Sequence, residues 1–281
     1  THEEVYDSKK LRKKYNLEEG KVNPLDYGYN YKDVAYKSGK LNLYGWLIES
    51  KNANKTMIIC HGRGVNRLCS LQYLQLLKDA NLDKDYNIFI PDFRNSGASD
   101  EARTKLGYNF AQDILHTMEM LKDKYGLNNF TLYGFSQGAM GAAIVSKLHV
   151  HSLRKKGLKI DKLILDSPIS NVKKRIKQDA KKRKVPKFIV SIITRIFNFR
   201  VGNHLEKLRL SYLLKRVPTL ILQTKNDKAT TYGMLMEEYN KIAQNSNVQL
   251  KVFEKGAHIR IYAEPEYKEE YTKIVADFLR S

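Results

Sequence analysis

A serine with a glycine two residues to either side stands in Gly134-Phe135-Ser136-Gln137-Gly138. The spacing has a physical meaning. A chain that passes from strand to helix within a few residues forces the serine into a strained backbone conformation, and the glycines keep the neighbouring backbone clear. The hydroxyl then projects from the turn, with a helix N-terminus behind it that favours developing negative charge. Residues 129–133 read as an apolar strand and residues 137–148 as a helix of small residues. Ser136 therefore has the context that a nucleophile of acyl transfer needs; without it the pentapeptide would be a packing turn.

A serine hydroxyl attacks only when a base takes its proton. His258, in Lys255-Gly256-Ala257-His258, follows the last strand and is the candidate base. His116 falls in the middle of a helix, and His149 and His151 end one, so none of these lies at a strand's carboxyl end. The base in turn needs a carboxylate to hold its tautomer and stabilise the imidazolium. Asp227 follows the strand at 219–223 and is the candidate. Asp166, in Asp166-Ser167-Pro168, is its rival, better placed to organise the loop that follows it. Two backbone N–H groups must hold the oxyanion. We assign one to Gln137, directly after the nucleophile, and the other to Arg63 in the loop His61-Gly62-Arg63-Gly64. Gly62 lets that backbone approach a substrate closely, and His61 orders the loop rather than acting as a base. This chemistry calls for no metal or organic cofactor.

The elements that would position these groups alternate. Residues 31–36 and 41–50 read as two strands around Ser38-Gly39-Lys40. Strands at 56–60, 86–91, 129–133, 160–166, 219–223 and 249–253 are then interleaved with helices at 68–78, 108–124, 137–148 and 267–280. Strand and helix in alternation predict an α/β fold: a mostly parallel central sheet with helices on both faces, ligands binding beyond the carboxyl ends of the strands. A chain of 281 residues with 42% hydrophobic residues is enough for one large core. Residues 1–29 are expected to form an N-terminal arm, its first part charged, and residues 30–281 the domain. No strand is visible between Ser170 and Arg216, so about 170–216 reads as a helical cap inserted over the catalytic edge. Only Cys60 and Cys69 occur, which excludes a disulfide scaffold; Cys60, in an apolar run, reads as core.

With these residues in place, the chain resembles the α/β-hydrolase superfamily from Asp33 to Leu279. It is most similar to the Bem46-like group, related to acyl-peptidases and carboxylesterases. The resemblance rests on His61-Gly62-Arg63-Gly64-Val65-Asn66-Arg67, Asp92-Phe93-Arg94-Asn95-Ser96-Gly97, Leu106-Gly107, the Ser136 pentapeptide and Gly256-Ala257-His258. The order Ser136, Asp227, His258 is the one this fold implies. The chain departs from the group at Gln223-Thr224 and at Asn95-Ser96-Gly97, which removes no catalytic group but weakens any transfer of substrate preference. Members of the group often carry an N-terminal membrane anchor. A chain that begins at Thr1 fits that pattern and suggests a bacterial cell membrane or cell surface, with the cytoplasm as the alternative. No apolar run reaches the ~20 residues of a membrane span, and no signal peptide is visible.

The formal charge of +20 favours anionic partners and says nothing about fold. Fourteen of the Lys and Arg residues, against three Asp, fall between 150 and 187. That run reads as a solvated surface or as an attraction to anionic lipid or cell-envelope polymer. Nucleic acid is not expected, because no helix-turn-helix, zinc-knuckle or RNP pattern accompanies the charge. Phe188, Ile189, Ile192, Ile193, Ile196 and Phe197 then recur at helical spacing. They read as a cap helix whose apolar face covers the site, with Phe188, Ile192 and Ile196 toward substrate; a basic amphipathic helix at a membrane interface is the competing reading. The expected reaction is hydrolysis of a carboxylic ester with a hydrophobic acyl group, through an acyl-enzyme on Ser136. An acylaminoacyl-peptidase or amidase would use the same residues. A basic membrane- or envelope-docking protein with secondary esterase activity is the alternative of another class.

Overall fold

The computed structural model of the protein describes residues 20–51, 53–244 and 247–281. The expected arm thus falls largely outside the described residues. Its last part forms a 3-10 turn, Pro24–Tyr27, capped by the Asn23 side chain, with Tyr27 buried.

The strands are β1 (Lys32–Ser38), β2 (Leu41–Ile48), β3 (Lys55–Cys60), β4 (Tyr86–Asp92), β5 (Asn129–Phe135), β6 (Lys159–Asp166), β7 (Thr219–Thr224) and β8 (Val248–Phe253). They form one eight-stranded sheet in the order β1-β2-β4-β3-β5-β6-β7-β8. β2 runs antiparallel to both β1 and β4. The pairs from β4 through β3, β5, β6 and β7 to β8 are parallel. Six consecutive parallel strands place the loops after β3, β5, β7 and β8, which carry the candidate residues, on one edge of the sheet.

The helices are α1 (Gln72–Asp79), α2 (Tyr108–Tyr125), α3 (Gln137–Leu148), α4 (Val150–Lys155), α5 (Val172–Lys182), α6 (Lys187–Arg200), α7 (Leu210–Leu213), α8 (Tyr232–Tyr239) and α9 (Pro265–Arg280). The helix expected at 68–78 is split: Arg67–Ser70 is a 3-10 turn capped by the Asn66 side chain, and α1 begins at Gln72. α9 starts two residues earlier than expected, with Pro265 in its first turn. Proline suits that position because its missing N–H would have no helical partner there.

Side-chain alternation along the strands builds two cores. Ile58, Cys60, Leu132 and Leu165 face one side, with Phe110 and Ile114 of α2 and Ala142 and Ile144 of α3. Met57, Ile59, Tyr133 and Ile164 face the other, with Leu74 and Leu77 of α1 and Tyr271 and Val275 of α9. Both cysteines are free and buried. Central strands covered on both faces are mostly apolar, as a parallel sheet favours. Between β6 and β7 the chain makes only helices, turns and one isolated bridge, Asn171 to Arg209. Asn171 caps α5, accepting from the Lys174 N–H at 3.0 Å, and donates through Nδ2 to Glu238 of α8 at 2.9 Å. The Ser211 hydroxyl of α7 donates to the other Glu238 oxygen. This buried carboxylate ties the insertion to the domain.

Candidate active site

Ser136 lies between β5 and α3 with φ of 52° and ψ of −110°. A positive φ costs a non-glycine residue roughly 1–3 kcal/mol, so the surrounding structure has to impose it. A Cβ added at Gly134 would lie 2.5 Å from Ala139 Cα, and one added at Gly138 would lie 2.1 Å from the Cys60 carbonyl oxygen. Both glycines are needed for the same reason: the turn is pressed against α3 on one side and against the end of β3 on the other. The Ser136 N–H donates to the Asp166 carbonyl at 3.0 Å, which holds the turn to β6.

His258 Nε2 lies 2.8 Å from Ser136 Oγ, and Nδ1 lies 2.7 Å from Asp227 Oδ2. An ionised carboxylate can only accept, so Nδ1 carries the ring proton and Nε2 accepts from the serine. The Asp227 side chain is fully buried while His258 keeps partial access to solvent. Asp227 Oδ1 accepts from the N–H groups of Ala229 and Thr230, at 2.7 and 2.9 Å. Oδ2 accepts from the Thr230 hydroxyl at 2.9 Å and from Gln223 Nε2 at 3.3 Å. Burial opposes ionisation of Asp227, but the hydrogen bond and charge of His258, with the Thr230 bonds, outweigh it and hold the carboxyl below its ordinary pKa.

The loop after β3 passes directly beside the serine. A Cβ on Gly62 would be 3.4 Å from both the Phe135 carbonyl and Ser136 Cβ. Arg63 follows in the chain and is exposed, whereas Gln137 is buried at the start of α3. His61 is buried, and both its ring nitrogens are occupied: Nε2 accepts from the Phe93 N–H at 2.9 Å, and Nδ1 donates to the Gly62 carbonyl at 2.7 Å. Burial lowers its pKa, so the ring is neutral. It links the β3 and β4 loops. The β4 loop is tied down further: the Arg94 guanidinium makes two bonds to buried Asp113, at 2.8 and 2.7 Å, and Asp92 Oδ1 accepts from the Arg67 N–H at 2.8 Å.

Asp166 is not a partner of the histidine. Its oxygens accept from the hydroxyls of Ser167 and Tyr271, each at 2.8 Å, and Tyr133 is hydrogen-bonded to Tyr271 at 2.6 Å. Complete burial pushes its pKa up to about 6, against the pull of those two hydroxyls. The Ser167 hydroxyl oxygen accepts from the Ile259 N–H at 3.3 Å, next along the chain from His258. Asp166 thus braces the histidine loop from behind.

Thr230, Gln223, Ser167 and Tyr271 are the positioning residues that sequence reasoning missed. Gln223-Thr224 was visible as a departure, but its consequence was not: the amide donates to Asp227 and to the carbonyls of Thr224 and Thr230, at 3.1 and 2.9 Å for the latter two, and so shapes the acid loop.

The expectation for the cap helix needs correction. Phe188, Ile192 and Ile196 are 69%, 51% and 47% exposed, and no residue of α6 is buried. Their stripe faces solvent instead of closing over the site. The physical reason lies in how the helix docks. Phe197, on another side of α6, packs against the core, and Lys105 Nζ holds the Arg200 carbonyl at 2.8 Å. α5 is anchored beside the acid loop, with Arg175 Nη1 on the Ala229 carbonyl at 2.7 Å and Lys182 Nζ on the Lys228 carbonyl at 3.0 Å.

A family model described as the α/β hydrolase fold matches residues 55–188, from β3 to the start of α6. The chain has the α/β-hydrolase fold. Among solved structures it is similar to the esterase Pf2001 of Pyrococcus furiosus, with a TM-score of 0.69 at 25% identity over 93% of this chain and 94% of that one. It shares the fold of the Pyrococcus horikoshii acylaminoacyl peptidase, with a TM-score of 0.65 at 17% identity over 92% of this chain and 44% of that one. In sequence it is 24% identical to the uncharacterized protein YqkD of Bacillus subtilis over 263 residues, 92% of this chain and 78% of that protein.

Proposed function

We propose that the protein is a serine hydrolase that cleaves carboxylic esters bearing a hydrophobic acyl group. The observation that carries this reading is the continuous line of hydrogen bonds from Ser136 Oγ through His258 to a buried, fully solvated-by-protein Asp227. His258 Nε2 removes the hydroxyl proton as Oγ attacks the acyl carbon. Asp227 holds the tautomer and stabilises the imidazolium that forms. The Gln137 and Arg63 N–H groups receive the oxyanion. His258 then returns the proton to the leaving alcohol, and water repeats the sequence on the acyl-enzyme. The likeness to the Pyrococcus furiosus esterase supports an ester over an amide.

A fluorophosphonate forms a stable adduct with an activated serine. Intact mass should rise by one adduct on the wild type and not on Ser136→Ala; labelling of Ser136→Ala at another serine overturns the assignment. An acyl-chain series of chromogenic esters, set against aminoacyl amides, tests the substrate class. Faster turnover of the amides would make the enzyme a peptidase or amidase.

A further inference from the structure

Six large hydrophobic side chains are exposed among the described residues, and five of them sit on α6: Phe188, Ile192, Ile193, Ile196 and Phe199. At 3.6 residues per turn, Phe188, Ile192, Ile196 and Phe199 form one stripe along the helix, with Phe199 79% exposed. A stripe of this kind is unusual on a surface that touches only water.

What flanks the stripe decides what covers it. α5 and α6 enclose an open groove of about 950 Å³, lined on the α5 side by Lys173, Lys177, Lys181 and Lys184 and on the α6 side by Lys187 and Arg195. Lys173 is paired with Glu206. For Lys177, Lys181, Lys184, Lys187 and Arg195, no carboxylate among the described residues lies within ion-pair distance. Unneutralised cations beside an apolar ridge match a surface that is anionic at its face and apolar just beneath it. Nucleic acid or an acidic polymer would satisfy the cations but leave Phe188, Ile192 and Phe199 in water. A protein groove of matching shape would not need so many unpaired lysines.

We infer that the α5–α6 hairpin docks the protein on an anionic lipid bilayer, with the Phe188–Ile192–Ile196–Phe199 stripe in the acyl boundary and the lysines among the headgroups. The 14-residue α6 is about 21 Å long at 1.5 Å per residue, short of the ~30 Å hydrocarbon core. It therefore lies along the interface. Among the described residues no helix is long and apolar enough to cross a membrane. Arg175 and Lys182 tie the hairpin to the acid loop, so docking holds the Ser136 edge of the sheet close to the lipid. The inference does not depend on the hydrolase reading.

Co-sedimentation of the full chain with vesicles tests it, comparing phosphatidylcholine alone with an equal mixture of phosphatidylcholine and phosphatidylglycerol. The wild type and Ser136→Ala should both bind the mixed vesicles and leave the neutral ones. Each lysine neutralised in Lys177→Gln, Lys181→Gln and Lys184→Gln should weaken binding about fivefold. Phe188→Ser combined with Ile192→Ser should weaken it roughly tenfold or more. Equal binding to both vesicle types overturns the inference. So does undiminished binding of the Phe188/Ile192 variant to the mixed vesicles, which would mean adsorption by charge alone and point to a soluble polyanion.

Discussion

At the carboxyl edge of the sheet, both oxygens of Asp227 have donors, both nitrogens of His258 have partners, and both glycines flanking Ser136 are pressed against backbone. On α6, a few elements away, no side chain is buried and five large hydrophobics face solvent. The Ser136, His258 and Asp227 side chains of the first region are paired internally, and the turn around Ser136 tolerates almost no change of shape. The second leaves its surface unsatisfied, and its exposed stripe tolerates substitution, because no side chain of that stripe is buried. A rigid site beside an open apolar surface is the arrangement expected where chemistry must be held still while the surface meets something outside the chain.

The contrast can be broken at several points. Ser136→Ala should lower ester turnover by roughly 10⁴–10⁶ with little change in folding, read by steady-state kinetics on a chromogenic ester. Residual activity within tenfold of the wild type would remove the site from the rigid region altogether. Asp227→Asn should cost about 10⁴ in turnover, since the amide can donate to the ring and favour the wrong tautomer. Gly138→Ala drives a methyl group to 2.1 Å from the Cys60 carbonyl oxygen. It should destabilise the fold by several kcal/mol, read in the urea midpoint; a neutral effect would show that the turn is looser than its contacts.

Asp166 gives a prediction in pH. Its pKa is raised to about 6 in the folded state from an unfolded value of 3.8. The folded protein therefore binds more protons between these values, and this group's contribution to stability falls as pH rises through the window. Asp166→Asn should remove that slope from a series of urea midpoints taken between about pH 4 and pH 6; an unchanged slope would mean that the carboxyl is not held protonated. The smallest effect belongs to α6. Ile192→Ser should change stability by no more than about 0.5 kcal/mol, and a loss of several would mean that the stripe is packed after all.

Much of the site was legible because its signals are local. The Gly134-to-Gly138 spacing, the small residues of α3 and the placement of Asp227 and His258 after apolar strands are written in contiguous residues, and strand–helix alternation orders them along one edge. The cradle around Asp227 was not legible in the same way. Thr230 follows it by three residues, but nothing in that spacing says that its hydroxyl turns toward the carboxylate. Asp166 looked like a rival acid because sequence places it at a strand end; only the packing of Tyr271 from α9, 105 residues away in the chain, occupies its second oxygen.

The amino-acid sequence by itself determined the α/β alternation, the candidate residues of the site and the amphipathic character of α6, because each depends on periodicity or spacing within a short segment. The tertiary structure alone decided which way that helix faces. Periodicity groups Phe188, Ile192 and Ile196 on one side, but the direction of that side follows from where Phe197 meets the core and where Arg200 meets Lys105. Those contacts join residues far apart in the chain, and they turned an expected cover for the site into an outward apolar surface.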